Sequence, residues 1–247
     1  MMLDRYLNKV TCGDCLELMK EIDDGSVDLI LCDLPYGTTA CSWDTIIPFE
    51  PLWAAYKRII KPNGAIVLTA SQPFTTALIA SNTKMFRYEW IWIKTISCQP
   101  QNSHIMPMKK HENILVFYNH LPTYNPQFEK GEPYNKTAGN VGMNFYREGL
   151  KSPARTNSGF RYPSSISTKF GNGNYGKFHP TQKPVALMSY LIKTYTNEGE
   201  LVLDNCAGSG TTGVAAKQLN RKFILIEKEQ KYCDIAREQL KQEVLGL

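Results

Sequence analysis

The run Leu201-Val202-Leu203-Asp204, the loop Gly208-x-Gly210-x-x-Gly213 and the run Phe223-Ile224-Leu225-Ile226-Glu227 constrain the fold more than any other part of this 247-residue chain. An apolar run that ends in a glycine loop, opens a helix over residues 212–219 and returns as a second apolar run reads as strand–helix–strand, a unit of mostly parallel sheets. Glycines let the backbone approach a ligand, and an acid ending the second strand stands where ribose hydroxyls are accepted. The unit therefore points to an adenosine-containing cofactor, without choosing NAD over S-adenosylmethionine. It is not a P-loop, because no Gly-Lys-Ser/Thr occurs. A loop that serves only helix–sheet packing is the competing reading, and Glu227 weighs against it.

A second apolar run, Val27-Asp28-Leu29-Ile30-Leu31-Cys32, stops at Asp33-Leu34-Pro35-Tyr36. A carboxylate, a backbone carbonyl held by a following proline and an aromatic face suit an exocyclic amino group on a flat heterocycle. The two oxygens accept its two N–H bonds and the ring offers a stacking surface. Taken alone, Asp33 also reads as a turn cap and Tyr36 as a packing residue.

Strand-like and helix-like pieces alternate on both flanks. A helix is expected over 16–22, a strand over 27–32, and a helix over 49–60 stopped by Lys61-Pro62-Asn63-Gly64. A strand over 65–70, a helix over 73–81 and strands over 89–94 and 114–118 follow. Beyond residue 179 come a helix over 185–195, the strand–helix–strand unit and a last helix over 230–244. Between 120 and 178 only five of 59 residues are Leu, Ile, Val or Met. That is a poor independent core and suits an insert lying on a scaffold. The expected organisation is one doubly wound α/β domain, with halves 1–119 and 179–247 around the insert 120–178.

The insert carries eight Lys or Arg against three Glu, and so holds the whole formal net charge of +5. A basic surface confined to one segment points to a polyanionic partner. No apolar run reaches the roughly 18 residues of a membrane span, and the first residues lack the apolar stretch of a secretory signal, so a cytoplasmic location is expected. Seven scattered cysteines read as reduced, buried thiols. Cys12-Gly13-Asp14-Cys15 has the spacing of a zinc half-site but no second close pair, so no metal is expected. Asp14 reads as the cap of the helix that follows.

In order along the chain stand Gly13-Asp14-Cys15-Leu16-Glu17, the run from Ser26 to Tyr36, Gly64-Ala65-Ile66-Val67-Leu68 with Ser71-Gln72-Pro73-Phe74, and His111-Glu112-Asn113-Ile114-Leu115-Val116-Phe117. His179-Pro180-Thr181-Gln182-Lys183-Pro184 and the 204–213 loop close the series. This series resembles the β group of S-adenosylmethionine-dependent DNA amino-methyltransferases, phage and prophage DNA adenine methyltransferases in particular. The resemblance spans nearly the whole chain in the circular motif order of that group. Leu34 stands where the commonest motif has proline, and since the chemistry uses the backbone carbonyl there, little changes.

The resemblance implies a Rossmann-like fold and transfer of a methyl group from S-adenosylmethionine to N6 of an adenine flipped out of double-stranded DNA. It implies a cofactor site of Asp14, Cys15, Asp33, Thr181, Lys183, Asp204, Ala207, Gly208, Ser209, Gly210, Thr211, Thr212 and Glu227. Asp204 would lie near the amino-acid end, Glu227 on the ribose, Asp14 at the adenine edge, and Thr181 and Lys183 at the methionine end. A solvated cation or phosphate contact at the cleft mouth is the competing role for Lys183. Asp33, Leu34, Pro35 and Tyr36 would be the catalytic set, with Tyr36 stacking on the flipped base. Trp43, in the loop 37–49, would close over that base or simply pack. Lys130, Lys136, Arg147, Lys151, Arg155, Arg161 and Lys169 of the insert would contact phosphates and bases. A second copy of the chain and a cognate restriction enzyme are further implied partners.

Cytosine-N4 methylation stays open, because both bases present an equivalent amino group. Asp33, where N4 enzymes often carry serine, tilts the reading to adenine. A cytosine-C5 enzyme would need a cysteine after proline, and no Pro-Cys occurs. A nicotinamide-dependent dehydrogenase would share the glycine loop and Glu227 but leave Asp33 to Tyr36 and the basic insert unexplained. Intact Asp33 and Tyr36 disfavour a non-catalytic DNA-binding relic. RNA and protein-glutamine methylation use similar tetrapeptides, and the size and charge of the insert favour DNA.

Overall fold

The computed structural model describes residues 3–39, 41, 44–98, 100–140, 151–167, 170–171 and 182–241. The elements run α1 (Leu3–Tyr6), β1 (Lys9–Cys12), α2 (Cys15–Leu18), a 3-10 turn (Met19–Glu21), β2 (Val27–Asp33), α3 (Phe49–Ile59), β3 (Ile60–Ala70), α4 (Phe74–Ser81), β4 (Phe86–Cys98) and β5 (Lys109–Phe117). Short strands follow: β6 (Glu129–Lys130), β7 (Tyr134–Lys136), β8 (Gly139–Asn140), β9 (Lys151–Ser152), β10 (Arg155–Asn157), β11 (Phe160–Arg161) and β12 (Ile166–Ser167). The chain then forms α5 (Val185–Tyr195), β13 (Leu201–Asp204), α6 (Thr211–Gln218), β14 (Lys222–Glu227) and α7 (Gln230–Lys241).

Two compact units result: Met1–Asn125 with Ser165–Leu247, and Pro126–Ser164. The larger is built on an eight-stranded sheet in the order β1-β14-β13-β2-β3-β5-β4-β12. Neighbours pair in parallel except at β5, which runs antiparallel to both β3 and β4. The side-chain period of two sends Leu29, Leu31, Ala65, Val67, Val202 and Leu225 to one face, against Leu187, Leu191, Ala215 and Ala236 of α5 to α7. Ile30, Cys32, Ile66, Leu68, Leu203 and Ile226 face the other way, against Met19, Leu52, Tyr56, Ile59 and Leu78. Both faces are covered, which is why these strands read as nearly continuous apolar runs. The order β14-β13-β2 sets three strand ends side by side, and Glu227, Asp204 and Asp33 are the last residues of those strands. Open α/β sheets bind ligands at this carboxyl edge.

Some boundaries differ from the sequence expectations. The edge strand β1 has no counterpart among them; it is four residues long and follows Asn8 at φ 57°. Lys61 to Gly64, expected to stop a helix, lie inside β3, whose pairing with β2 shifts register between Val27 and Leu29. Pro62 thus falls in the irregular part, where a missing N–H costs no ladder bond. β4 runs to thirteen residues rather than 89–94 because β5 pairs along most of it. The 16–22 helix divides into α2 and the 3-10 turn, and Asp14 caps α2 by accepting the Leu16 N–H at 2.9 Å.

In the smaller unit, β7 pairs with β10, β6 with β11 and β8 with β9, each as a two-stranded antiparallel ladder. Among the described residues no helix is long and apolar enough to cross a membrane. No group of His, Cys, Asp and Glu among them is arranged to hold a metal ion.

Candidate active site

A cavity of about 710 Å³ lies at the carboxyl edge of the large sheet. Its wall includes Asp14, Cys15, Asp33, Leu34, Pro35, Tyr36, Lys183, Asp204, Ala207, Gly208, Ser209, Thr211, Thr212 and Glu227. Both motifs singled out in the sequence therefore meet in one space. Gly210 is not in that wall; its φ is 85° and an added Cβ would meet the Ala236 Cβ at 2.8 Å, so it serves the turn into α6 and the packing on α7. Thr181, Trp43, Arg147 and Lys169 lie outside the described residues, and so does the side chain of Lys151.

Asp33 stands in the cavity wall. It is the register partner of Thr69 on β3, whose hydroxyl donates to Asp33 Oδ1. The Tyr36 hydroxyl donates to the same oxygen at 2.8 Å. Lys183 Nζ donates to Oδ2 at 2.6 Å. Lys183 is buried and lies 3.3 Å from Glu112 Oε2, so the solvated-cation role does not hold: two carboxylates keep it inside. Burial opposes the charge on Lys183, but Asp33 and Glu112 more than offset it and raise its pKa. The Tyr36 ring stacks on Phe74 at 5.2 Å, and Lys183 Nζ lies 5.7 Å from its centroid. Burial, reinforced by Asp33, pushes the Tyr36 hydroxyl well up and keeps it a donor.

The neighbouring part of the wall is built on β13, β14 and the start of α6. Asp204 accepts the Thr212 hydroxyl at 2.6 Å and the Cys206 N–H at 3.1 Å, and burial pushes its carboxyl up to about 6. Glu227 accepts the Gly208 N–H at 2.7 Å and the Glu229 N–H at 2.8 Å. The Ser209 hydroxyl is buried without a hydrogen-bond partner among the described residues. An orphaned hydroxyl at a helix start, two carboxylates with spare lone pairs and this volume fit an adenosyl amino acid.

Sequence reasoning assigned no role to three further wall residues. Glu112, on β5, receives Lys94 of β4 at 2.5 Å on Oε1. Lys94 and Glu112 come together because Glu112 is the register partner of Trp92, two residues from Lys94. Asp44 accepts the N–H groups of Gly37, Thr38 and Thr39 at 2.9, 2.9 and 2.7 Å and so folds the loop after Tyr36 back on itself. Glu112 belongs to the 111–117 run, where an acid inside an apolar strand was the available signal, and Asp44 is the acid of the loop 37–49.

In the smaller unit Lys136 of β7 is the register partner of Arg155 of β10, and both are exposed. Lys130 is exposed on β6. Arg161 differs: its guanidinium donates to Glu132 O and Asn157 Oδ1 and lies 4.7 Å from the Tyr134 centroid. These bonds hold the unit together, which leaves Arg161 fewer donors for a phosphate than its sequence context implied.

The profile of the N6_N4_Mtase family, described as DNA methylase, matches residues 27–238. The chain belongs to this DNA methylase family. The type II methyltransferase M.HpaI of Haemophilus parainfluenzae is 28% identical over 96% of this chain and 76% of its own length. M.HinfI of Haemophilus influenzae is 26% identical over 97% and 70%. The crystal structure of the M1.HpyAVI-SAM complex is similar at a TM-score of 0.66 and 26% identity, covering 95% of this chain and 99% of that one. PvuII DNA methyltransferase, cytosine-N4-specific, shares the fold at a TM-score of 0.67 and 16% identity, covering 96% and 87%. The DNA methylase thus combines a family sequence pattern with a fold in which the pattern's two parts line one cavity.

Proposed function

We propose that this DNA methylase transfers a methyl group from S-adenosylmethionine to the exocyclic N6 of an adenine turned out of double-stranded DNA. The observation that carries the reading is the Asp33 carboxylate, set at the end of β2 in the same cavity as Glu227 and the Gly208 loop. The related M1.HpyAVI structure is a complex with SAM, and the wall residues fit that molecule. Asp204, Ser209 and Glu227 would hold it, with Asp14 toward the adenine. When bound, it supplies an electrophilic sulfonium methyl group.

Asp33 and the Leu34 carbonyl accept the two N–H bonds of the target amine and favour a more tetrahedral nitrogen whose lone pair is less delocalised into the ring. The proton the amine loses as the N–C bond forms leaves along the hydrogen bond to Asp33. Positioning supplies most of the effect, since the reacting atoms must meet at roughly 3–3.5 Å. The amine itself is the nucleophile, so no covalent enzyme intermediate is needed. Tyr36, fixed by Phe74, Asp33 and Thr69, is a rigid wall for the flipped base. Turning the base out costs a few kcal/mol.

The segment 120–178 reads the target site and the flanks 1–119 and 179–247 do the chemistry. Lys136 and Arg155 support this: like charges opposite each other across a ladder repel, and a phosphate relieves the repulsion. A cognate restriction endonuclease is the further partner of this reading, supported by the type II methyltransferases among the relatives. The second reading is cytosine-N4 methylation, favoured by the fold shared with the cytosine-N4-specific PvuII enzyme. Fluorescence titration with S-adenosylhomocysteine and with NADH tests the cofactor, because Trp92 is in the cavity wall. Quenching by the first alone is expected; quenching by NADH would overturn the reading.

A further inference from the structure

Lys94, Glu112, Lys183 and Asp33 form a row of alternating charge across the cavity wall, with contacts of 2.5, 3.3 and 2.6 Å along it. β4, β5, the segment before α5 and β2 each contribute one member. Two members are out of balance. Asp33, to which the reading above assigns the target amine, already carries the Tyr36 and Thr69 hydroxyls on Oδ1 and Lys183 on Oδ2. Glu112 Oε2 is buried and faces Lys183 Nζ at 3.3 Å, a long contact without well-directed hydrogen-bond geometry. A buried carboxylate oxygen without a well-formed hydrogen bond is costly, and native structures keep few of them without a use.

We propose that Lys183 holds the place of the target amine on Asp33 and passes to Glu112 Oε2 when the amine arrives, so that Glu112 is the positioning residue that frees the acceptor. The inference rests on the assignment of Asp33 made under the proposed function. Lys183 is buried and cannot release Asp33 by turning to water. Glu112 is the acceptor within reach: closing its contact from 3.3 Å to ordinary charge-assisted length takes about half an ångström. The row holds two cations and two carboxylates, so the passage brings no net charge into the cavity. It is also an exchange of hydrogen bonds rather than of protons. Burial works against the Glu112 charge, but Lys183 and Lys94 lower its pKa, and Lys183 itself stays protonated. Lys109 of β5, Cys98 of β4, Tyr36 and Asp204 of β13 are further titratable groups of the wall near the row, and Lys109 is turned to Ser71 and Gln72.

The test compares the full-length wild type with Glu112→Gln and Glu112→Asp. The readouts are kcat on DNA, affinity for S-adenosylhomocysteine, and the rate at which acetic anhydride modifies Lys183 at pH 9, scored by peptide mass spectrometry. For Glu112→Gln, kcat is expected to fall about tenfold to a hundredfold, the loss of one charge-assisted hydrogen bond. Affinity for S-adenosylhomocysteine is expected to stay within twofold, and Lys183 is expected to react several-fold faster, since it loses the carboxylate that helps keep it charged. Glu112→Asp, which keeps the charge on a shorter arm, is expected to restore the slow modification and part of kcat; it also stands in if Glu112→Gln does not fold. Unchanged kcat and unchanged Lys183 reactivity overturn the inference, and so does a kcat loss matched by an equal loss of S-adenosylhomocysteine affinity. If the wild type itself methylates no DNA, the function reading fails, and the Lys183 modification rates still decide whether Glu112 holds Lys183.

Discussion

Glu227 Oε2 accepts the Gly208 N–H at 2.7 Å while its Oε1 accepts the Glu229 N–H at 2.8 Å, so one carboxylate ties the glycine loop after β13 to the turn after β14. Hydrogen bonds to a charged group contribute about 1.5–3 kcal/mol each. In Glu227→Gln an amide N–H2 faces one of the two backbone donors. Affinity for S-adenosylhomocysteine, measured by titration calorimetry, is expected to fall at least tenfold, with a lower Tm. Unchanged affinity would remove Glu227 from the cofactor site.

Asp204 works against the fold it sits in. Its carboxyl, almost fully buried, is pushed by burial up to about 6 from an ordinary 3.8. An acid whose folded pKa is raised favours the folded state when protonated; that contribution is complete below about 3.8 and is lost as pH rises through about 6. At pH 8 the ionised group therefore costs on the order of 3 kcal/mol. Asp204→Asn is expected to raise Tm at pH 8, to leave it unchanged at pH 4 and to weaken cofactor binding. A lower Tm at pH 8 would contradict this.

The parts of the fold and site that could be read from sequence are those whose cause is local. The apolar periods of β2, β13 and β14, the glycines of the 208–213 loop and the acids closing each strand all act within a few residues of themselves. The contact of Lys183 with Asp33 spans 150 residues and depends on strand order, so the sequence left Lys183 between the cofactor and solvent. Glu112 and Lys94 meet only through the β4–β5 register. β1 is too short to show a period, and Pro62 disguised a strand whose ladder shifts around it. Arg161 looked like its basic neighbours because nothing in its flanks announces Glu132 O and Asn157 as partners.

Gly210 has no room for a side chain. At φ 85°, with an added Cβ 2.8 Å from the Ala236 Cβ, Gly210→Ala meets both backbone strain and a clash with α7. A loss of about 1–3 kcal/mol is expected in urea unfolding. A loss below 0.5 kcal/mol would show that the turn relaxes freely.

Lys136 and Arg155 should be read through salt. Each phosphate neutralised adds about 0.9 to the slope of log K against log salt for duplex DNA. The double variant Lys136→Ala, Arg155→Ala is expected to lower that slope by about 2 with Tm held. An unchanged slope would take the β7–β10 ladder out of the DNA contact.

The most direct test of the central claim is transfer of labelled methyl groups from S-adenosylmethionine to unmodified duplex DNA, followed by nucleoside mass spectrometry, with Asp33→Ala beside the wild type. N6-methyladenine from the wild type, and none from the variant, is the predicted result. N4-methylcytosine would keep the mechanism and contradict the base, and label that persists in the variant would contradict the role of Asp33.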